Sequence, residues 1–397
     1  MMDNSKFPPV EELRLRWEKL QQTMRAEKAD ACLISSNVNI YYLTGLIFSG
    51  YVFIPVSGEP VYFVRKPEGL ENQWSIAIRK PEDIPLLLQE RKFPLPKSIL
   101  LETDQISYNE YLRVRQVFTD SEIGNATPLL RTQRMIKTSY EIEQLLFTAK
   151  IHAAVYTRIK QCYHQGITDI ELQSNIEREM RLAGSLGLFR CFGNNMDIYM
   201  GSLLTGENAA TPSPYDFALG GGGLHPCFPI GANGSMLKEG TSVMIDMVGN
   251  YTAYLTDMTR VFAVGRLPEQ AYRVHQVSQE MHAWFLEKAI PGTACSDIYD
   301  RLMAMAEASG FGRFFMGLKQ KAKFVGHGVG LEINELPVLT NRSKDRLQPG
   351  MAIALEPKFV LPGIGAVGNE NTYLVREKGL EKITIFEEDI IEFQPQL

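Results

Sequence analysis

The sequence predicts a protein of two domains, an α/β domain over residues 1–134 and an α+β domain over residues 135–397. Three observations carry this prediction. At 397 residues the chain is longer than one hydrophobic core usually supports. Apolar runs alternate with helical stretches up to about residue 130, which is typical of α/β domains. Beyond that point, capped amphipathic helices are separated by long strand-rich stretches.

The N-terminal domain is predicted to begin with a helix and continue with alternating strands and helices. A strand is predicted over residues 31–35. The uncharged segment 41–58 is long enough to raise the question of a membrane span. Its internal glycines, Pro55 and its β-branched and aromatic residues instead favour two buried strands joined by a turn. The opening helix is predicted from apolar residues at helical spacing, which are Leu13, Trp17, Leu20 and Met24.

Helices of the C-terminal domain are marked by capping residues. Thr138 and Glu141 form a capping box ahead of an apolar stripe, and Thr168 and Glu171 repeat this box ahead of a second stripe. Two more helices are predicted over residues 268–288 and 296–309. The stretches between and after these helices are rich in strand-forming residues, which predicts an α+β domain.

Composition excludes several classes of protein. Hydrophobic residues at 45% and charged residues at 22% indicate a globular chain with a sizeable core. A net charge of -5 without dense Lys/Arg runs argues against a nucleic-acid partner. The five scattered cysteines contain no CxxC pair and predict free thiols in a reducing compartment. The N-terminal residues lack the pattern of a secretory signal, so we expect a cytoplasmic protein without a membrane partner.

Four acidic residues lie within strand-like segments that turn back on themselves. Asp246 and Asp257 flank a turn near Gly249-Asn250, and a hairpin centred midway would pair them on one face. Glu356 and Glu370 are symmetric about a second turn and are also predicted to face each other. Such close carboxylates destabilise a fold unless cations lie between them. No lysine cluster accompanies them, so the pattern predicts two divalent cations.

The segment GHGVGLEINELP sets His327 between Gly326 and Gly328. A phosphate loop, a metal ligand on a closely packed backbone, and a flexible turn are all compatible with this composition. The four acids favour the metal ligand, because imidazole is the usual nitrogen ligand beside carboxylates and glycine permits close backbone approach. Two ions about 3.5 to 4 Å apart can activate water and polarise a carbonyl, which is the arrangement for metal-assisted amide hydrolysis.

Two glycine-rich segments raise the question of a dinucleotide or phosphate ligand, but neither has the full pattern of such a site. Residues 363–368 match GxGxxG, but they precede a strand, whereas a dinucleotide fingerprint opens a helix. Residues 220–223 form a glycine run that no Lys-Ser/Thr pair follows, so a rim ahead of His225 is a better interpretation than a phosphate loop.

In order and spacing, the five candidate ligands resemble those of the pita-bread metallopeptidase family, which includes methionine aminopeptidase, aminopeptidase P, prolidase and the metal-free creatinase. The similarity also covers the N-terminal YYLTG at 41–45 and Ile136-Lys137, as in the creatinase and prolidase branch. It implies an N-terminal α/β domain of the creatinase/prolidase type, a C-terminal pita-bread domain and a homodimer. The matching ligands are Asp246, Asp257, His327, Glu356 and Glu370.

The resemblance also implies a role for each site residue. Asp246 and Glu370 would contact or bridge two divalent metals, whose shells the other three ligands complete. Glu356 would also exchange protons with the attacking water. His225 matches the family histidine near the scissile nitrogen, and Asn334 would orient the carbonyl oxygen. Manganese is the expected metal, and cobalt or zinc would also suit an oxygen-rich site with one nitrogen.

Several positions depart from the family pattern. Asn334 replaces a second histidine, and its amide donates a hydrogen bond but carries no proton. Gly368 stands where arginine is usual, and Lys323 where a further histidine often lies. Met247-Val248 replaces the usual residue and glycine after the first aspartate. These changes leave the ligands intact and concern the substrate side.

The sequence therefore predicts a dinuclear metallopeptidase that removes the N-terminal residue from short peptides, as an Xaa-Pro dipeptidase or aminopeptidase. Two alternatives stay open at this point. One is a metal-free C–N hydrolase similar to creatinase, against which the retained ligands argue. The other is a binding protein that uses the same fold without catalysis, since fold does not fix function.

Overall fold

The computed structural model describes residues 7–193, 196 and 198–393. The chain forms two compact units, with the boundary between Arg134 and Met135. Each unit has its own sheets and its own buried apolar clusters. The predicted fold class, an α/β domain followed by a mixed α and β domain, is confirmed.

The described strands of the N-terminal unit form a mixed sheet. They are β1 (Ala31–Ile34), β2 (Ser49–Pro55), β3 (Val61–Lys66), β4 (Ser75–Ala77), β5 (Ser98–Leu101) and β6 (Glu122–Asn125). Their order in the sheet is β4-β3-β2-β1-β5-β6. Strand β1 pairs antiparallel with β2 and parallel with β5, so the strand direction changes at β1. The helices are α1 (Val10–Ala26), α2 (Asn37–Thr44), α3 (Ile84–Glu90), α4 (Tyr108–Val117) and α5 (Thr127–Met135).

The segment 41–58 corrects one prediction. Residues 49–55 form strand β2, but residues 41–44 are the end of helix α2, so the prediction of two strands is wrong. The Ser36 side chain caps this helix by accepting from the Asn39 N–H, and Gly45 ends it with a φ of 70°. Short buried helices and strands share the same apolar composition, and periodicity does not separate them. In the described part of the chain, no helix is long and apolar enough to cross a membrane.

Two helices of the C-terminal unit begin at predicted capping residues. Thr138 and Glu141 form the predicted capping box. The second predicted box forms only in part: the Thr168 side chain accepts from the Glu171 N–H, while Glu171 Oε1 lies 3.1 Å from His164 Nε2. The helices are α6 (Ser139–Tyr156), α7 (Asp169–Leu182), α8 (Glu269–Lys288) and α9 (Cys295–Ala308).

The described strands of the C-terminal unit form three sheets. The first contains β7 (Gly201–Thr205), β8 (Ser242–Gly249), β9 (Thr256–Val264) and β17 (Ile391–Phe393), in the order β17-β9-β8-β7. The second contains β10 (Gly326–Gly328), β11 (Glu335–Val338), β12 (Ala352–Leu355), β15 (Asn371–Arg376) and β16 (Gly379–Lys382), in the order β11-β10-β12-β15-β16. The third pairs β13 (Phe359–Leu361) with β14 (Gly365–Val367).

Each large sheet packs one face against helices and turns the other face toward the second sheet. Alternate residues of β8 and β9, such as Ile245 and Met258, join α6 and α7 in one apolar cluster. Alternate residues of β12 and β15, such as Ile353 and Tyr373, join α8 and α9 in another. Because successive strand residues point to opposite faces, Asp246 and Asp257 point to the side opposite Ile245 and Met258. Glu356 directly follows β12 and Glu370 directly precedes β15, and the same alternation points them to the side opposite Leu355 and Tyr373.

The five cysteines are all free, as predicted. Cys32 and Cys295 are buried, and burial raises their pKa above the ordinary thiol range. A buried neutral thiol behaves as a small apolar side chain. These two residues therefore contribute to packing.

Candidate metal centre

Asp246 and Asp257 lie on the hairpin of β8 and β9, one register step from the predicted pairing. Asp246 stands opposite Thr259, and Asp257 opposite Val248. The predicted direct pairing is wrong because the connection over residues 250–255 shifts the centre of the hairpin. Residues two apart on a strand share a face, so both aspartates still point to the same side of the sheet.

Glu356 and Glu370 lie beside the ends of β12 and β15. Leu355 pairs with Asn371 in one sheet, and Phe359 pairs with Val367 in the short hairpin. Both pairings continue one register that sets Glu356 opposite Glu370, as the symmetric turn predicted. Strand β15 is also tied to β9, because Thr259 Oγ1 donates to Glu370 Oε2 at 2.8 Å. The two pairs of acids thus meet between the sheets.

His327 occupies the middle of β10, between two glycines that the packing requires. A Cβ at Gly326 would lie 2.3 Å from the Ala354 carbonyl oxygen, and one at Gly328 would lie 2.0 Å from that of Leu336. Real Cβ atoms do not approach so closely, so the neighbouring strands pack directly on the glycine backbone. This close packing sets the imidazole within 3.4 Å of Glu356 Oε1 and 4.0 Å of Asp257 Oδ2.

Three of the predicted ligands converge on one point. Ligand atoms of Asp257, His327 and Glu370 all lie within 4.8 Å of one another, and the three side chains are largely buried. Two carboxylates and one imidazole are a donor set that transition metals accept. Asp246 and Glu356 lie at the edge of this group, each with one oxygen engaged elsewhere.

Lys358, which the sequence analysis did not include among the site residues, binds the second oxygens of these acids. Its Nζ donates to Asp246 Oδ2, Glu356 Oε2 and Glu370 Oε2, each at 2.8 Å. The side chain is only 1% exposed. Lys358 follows Glu356 by two residues in an extended segment, so both side chains point to the same side. The spacing of two between Glu356 and Lys358 is the sequence signal that could have predicted this lysine in the site. The prediction that metal ions alone neutralise the four acids is corrected, because Lys358 supplies one of the positive charges.

Glu370 offers an oxygen that the protein leaves unused. Its Oε2 accepts from both Lys358 and Thr259 at 2.8 Å. Its Oε1 is buried and has no hydrogen-bond partner among the described residues. A buried carboxylate oxygen without a partner is costly unless an ion or water binds it. Glu370 supplies a carboxylate oxygen to the converging group, and its unbonded Oε1 fits a divalent cation held there.

Burial and mutual repulsion govern the charges in the cluster. Burial, followed by the charges of Glu370 and Asp246, raises the pKa of Asp257 well above its usual range. Burial and the charge of Glu356 raise the pKa of Glu370 to about 8. Burial also acts to raise the pKa of Glu356, but Lys358 and His327 outweigh it and lower the value to about 2. One ammonium group therefore does not compensate all four carboxylates, and a further cation would be stabilising.

A buried histidine supports the backbone next to Glu370. The two ring nitrogens of His282 lie 2.9 Å from the Tyr373 hydroxyl and 3.0 Å from the Asn369 carbonyl oxygen. A neutral ring has one donor and one acceptor, which matches these two partners. Burial lowers the pKa of His282 to about 4. The folded protein thus holds this ring in its neutral form.

We expect the free energy of unfolding to fall as His282 is driven toward protonation by acid. The pKa of His282 is depressed from about 6.5 in the unfolded chain, so its contribution is present above pH 6.5 and is lost as the pH falls toward 4. The free energy of unfolding should fall by about 3 kcal/mol between pH 6.5 and 4. Urea unfolding of wild type and of His282→Gln at several pH values measures this fall, since the variant lacks the contribution of the histidine.

His164→Gln is the control for this measurement. His164 is exposed, and its pKa is raised by the Gln165 carbonyl and by Glu171. Its removal does not reduce the loss of stability on acidification. Equal pH slopes for wild type and His282→Gln between pH 6.5 and 4 would contradict the assignment.

The side chain of Asn334 is bound to a neighbouring loop. Its Oδ1 accepts from the Phe192 N–H at 2.6 Å, and its Nδ2 donates to the Phe192 carbonyl oxygen at 2.8 Å. The second Nδ2 hydrogen points toward Met196 Sδ at 3.9 Å. To orient a substrate carbonyl, the amide would have to leave these partners. The contacts instead favour a role in positioning the segment at Phe192.

His225 lies in an exposed turn. Its carbonyl oxygen accepts from the Phe228 N–H, and its Nδ1 accepts from the Cys227 N–H at 3.1 Å. None of its contacts in the described part of the chain reaches the carboxylate cluster. The structure thus leaves its predicted role beside the scissile nitrogen untested.

The residues that depart from the family pattern lie in different surroundings in the structure. A Cβ at Gly368 would lie 2.3 Å from the Pro357 carbonyl oxygen, and its φ is 118°, so no arginine fits there in this backbone. Met247 is fully buried on the helix-packed face of β8, away from the cluster. Lys323 is exposed.

Comparison with protein-family models identifies both units. A model of metallopeptidase family M24 matches residues 143–377, and a model of the creatinase/prolidase N-terminal domain matches residues 16–136. Among curated proteins, an Xaa-Pro dipeptidase of Pyrococcus furiosus is 26% identical over 387 residues, covering 96% of this chain and 100% of its own length. The uncharacterized peptidase YqhT of Bacillus subtilis is also 26% identical, over 385 residues, covering 95% and 99%.

Solved structures share the fold at lower identity. The prolidase of Pyrococcus horikoshii superposes with a TM-score of 0.77 at 22% identity, covering 94% of this chain and 99% of its own. An Xaa-Pro dipeptidase of Bacillus anthracis gives a TM-score of 0.79 at 23% identity, covering 96% and 99%. At this identity the similarity establishes the fold, and the substrate has to be argued from the site.

Proposed function

The chain belongs to metallopeptidase family M24, and from this membership we propose that it is a metal-dependent hydrolase that removes the N-terminal residue from short peptides. The observation that carries the proposal is the convergence of Asp257, His327 and Glu370 on one point, where Glu370 Oε1 has no hydrogen-bond partner in the described part of the chain. Proline in the second position is the preferred substrate in this proposal, because several relatives are named Xaa-Pro dipeptidases. Dipeptides and longer peptides are both to be tested.

Asp257, His327 and Glu370 would hold a divalent ion, which supplies Lewis acidity toward the scissile carbonyl and lowers the pKa of water. Manganese is our first choice, with cobalt and zinc as alternatives. Asp246 and Glu356 complete the proposed ligand set, although each gives one oxygen to Lys358. Whether the centre holds two ions, as the family resemblance implies, depends on that lysine.

Glu356 is the proposed proton-transferring group. Its Oε1 lies 3.4 Å from His327 Nε2, at the edge of the converging ligands, and its Oε2 accepts from Lys358. A carboxylate so placed is able to take a proton from the attacking water and pass it to the leaving nitrogen. We assign His225 to the substrate side as a hypothesis from the family pattern. For Asn334 we propose a positioning role through Phe192.

Assembly and location are also part of the proposal. The family resemblance supports a homodimer, which light scattering of the purified chain would test. The five free cysteines suit a reducing compartment such as the cytoplasm.

The test is hydrolysis of a panel of short peptides by protein loaded with Mn²⁺. We expect cleavage after the first residue, abolished by a chelator and restored by the metal. His327→Ala should weaken Mn²⁺ binding by more than about 100-fold, since it removes a ligand without leaving Lys358 unpaired. His225→Ala is the matched control and should bind Mn²⁺ like wild type. Mn²⁺ affinity unchanged in His327→Ala would refute the assigned site.

A metal-free C–N hydrolase is the second candidate, and Lys358 is the observation that favours it. This lysine supplies part of the positive charge that metals would otherwise provide. The same chelation experiment separates the two candidates. Hydrolysis that persists undiminished in protein shown by elemental analysis to be metal-free would favour the second.

A further inference from the structure

We propose that the ammonium group of Lys358 permanently occupies one cation position of the cluster, so that the centre binds one divalent ion where a dinuclear site would bind two. The inference deepens the proposed function and rests on it in taking a divalent ion as the cofactor. It is carried by the three equal contacts of Lys358 Nζ with Asp246, Glu356 and Glu370.

The geometry leaves no room for a metal beside this ammonium group. An ammonium has three hydrogens to donate, and all three are directed to carboxylate oxygens at 2.8 Å. A metal bound to the same three oxygens would lie about 2.0 to 2.2 Å from each, and therefore almost on top of Nζ. The lysine and a metal are thus mutually exclusive at this position.

The remaining donors form a separate position for one ion. Lys358 does not bind Asp257 or His327, and Glu370 Oε1 has no hydrogen-bond partner among the described residues. One ligand atom from each of Asp257, His327 and Glu370 lies within 4.8 Å of the other two. Glu370 therefore connects the two positions, with Oε2 toward the ammonium and Oε1 toward the ion. Lys358 in this way replaces one metal without disturbing the ligands of the other.

The backbone holds Lys358 in place. Its carbonyl oxygen accepts from the Met316 N–H at 2.8 Å, and the preceding Pro357 carbonyl accepts from Ser278 Oγ at 2.8 Å. Gly368 packs so closely that a Cβ there would lie 3.1 Å from Lys358 Cα. A lysine anchored in this way differs from a surface lysine that could swing out to admit a second ion.

The positions of the charges favour a single ion. Lys358 Nζ already lies 2.8 Å from oxygens of Asp246, Glu356 and Glu370. A second divalent ion bound to these three side chains would have to lie close to this ammonium group. Like charges held this close repel strongly.

Titration of metal-free protein with Mn²⁺ alone tests the inference, by calorimetry and by elemental analysis after removal of excess metal. We expect about one ion per wild-type chain and about two in Lys358→Ala, which frees the three carboxylate oxygens. Paramagnetic resonance adds an independent readout, because wild type should show isolated Mn²⁺ and the variant an exchange-coupled pair. Mn²⁺ should also raise the Tm of the variant more than that of wild type.

Lys137→Ala is the matched control. Lys137 is equally buried and donates to Glu335 at 2.8 Å, outside the cluster, so its removal should leave the stoichiometry at one. If Lys358→Ala fails to fold, the wild-type stoichiometry still decides. Lys358→Arg, which keeps the charge, should also bind one ion.

The outcomes separate the inference from the proposed function. Two ions in wild type, or a single ion still in Lys358→Ala, would overturn the role of Lys358 and leave a metallopeptidase in place. One ion in wild type and two in the variant without any peptide hydrolysis would support the inference and count against the function. No ion in wild type would overturn both.

Discussion

Replacement of Glu356 by glutamine should lower kcat by about 100-fold to 10,000-fold, the range expected when a general acid-base group is removed. Glutamine keeps the size of the side chain and an oxygen that accepts from Lys358. It is unable to exchange a proton with water or with a leaving nitrogen. Asp257, His327 and Glu370 are untouched by the change, so the variant should still bind Mn²⁺. Steady-state kinetics on the cleaved peptide, with the bound metal measured in the same sample, checks the prediction.

Glu335→Gln is the control for that experiment. Glu335 is also buried and also accepts from a buried lysine, but it lies outside the cluster. Its variant should keep turnover within a few-fold of wild type, so a general effect of neutralising a buried glutamate would be recognised. Turnover within a few-fold of wild type in metal-loaded Glu356→Gln would refute proton transfer by this residue.

Sequence alone was informative about the fold where local rules act. Caps such as Thr138 predict helix starts because their hydrogen bonds are made within a single turn. Strand alternation placed Asp246 and Asp257 on one face, since the side-chain period of two holds in any sheet. Helix α2 and the true centre of the β8–β9 hairpin were missed. Both depend on loop length and on packing partners that the local pattern does not contain.

At the site, the acids and the histidine were predictable because their types and order are chemically distinctive. Lys358 was missed because nothing local distinguishes a buried lysine from a solvated one. Its contacts reach Asp246 and Glu370, which are 112 and 12 residues away in the chain. Only the meeting of the two sheets brings these oxygens together. The number of positive charges that neutralise these carboxylates therefore depends on the tertiary structure.

Arg260 offers the largest expected effect on stability. Its guanidinium is fully buried and donates to the carbonyl oxygens of Thr259 and Glu370 at 2.8 Å, and to Glu387 at 2.7 Å. It also donates to Asn371 Oδ1 at 2.9 Å. These bonds join β9 to the backbone of Glu370, to the side chain of Asn371 and to the backbone of Glu387. The planar fork of arginine makes all of them at once, which no other side chain does.

We expect Arg260→Met to lower the free energy of unfolding by about 3 to 5 kcal/mol, because methionine fills the space but leaves the buried Glu370 carbonyl oxygen and Asn371 Oδ1 without this donor. Arg260→Lys should recover part of the loss, since lysine makes fewer of the bonds. Arg113→Met is the control, because Arg113 pairs with Glu82 on the surface and its loss should matter little. Urea unfolding measures all three. Arg260 also holds the backbone that carries Glu370, so the affinity for Mn²⁺ should fall in Arg260→Met and stay unchanged in Arg113→Met. Equal free energies of unfolding in these two variants would refute the structural role of Arg260.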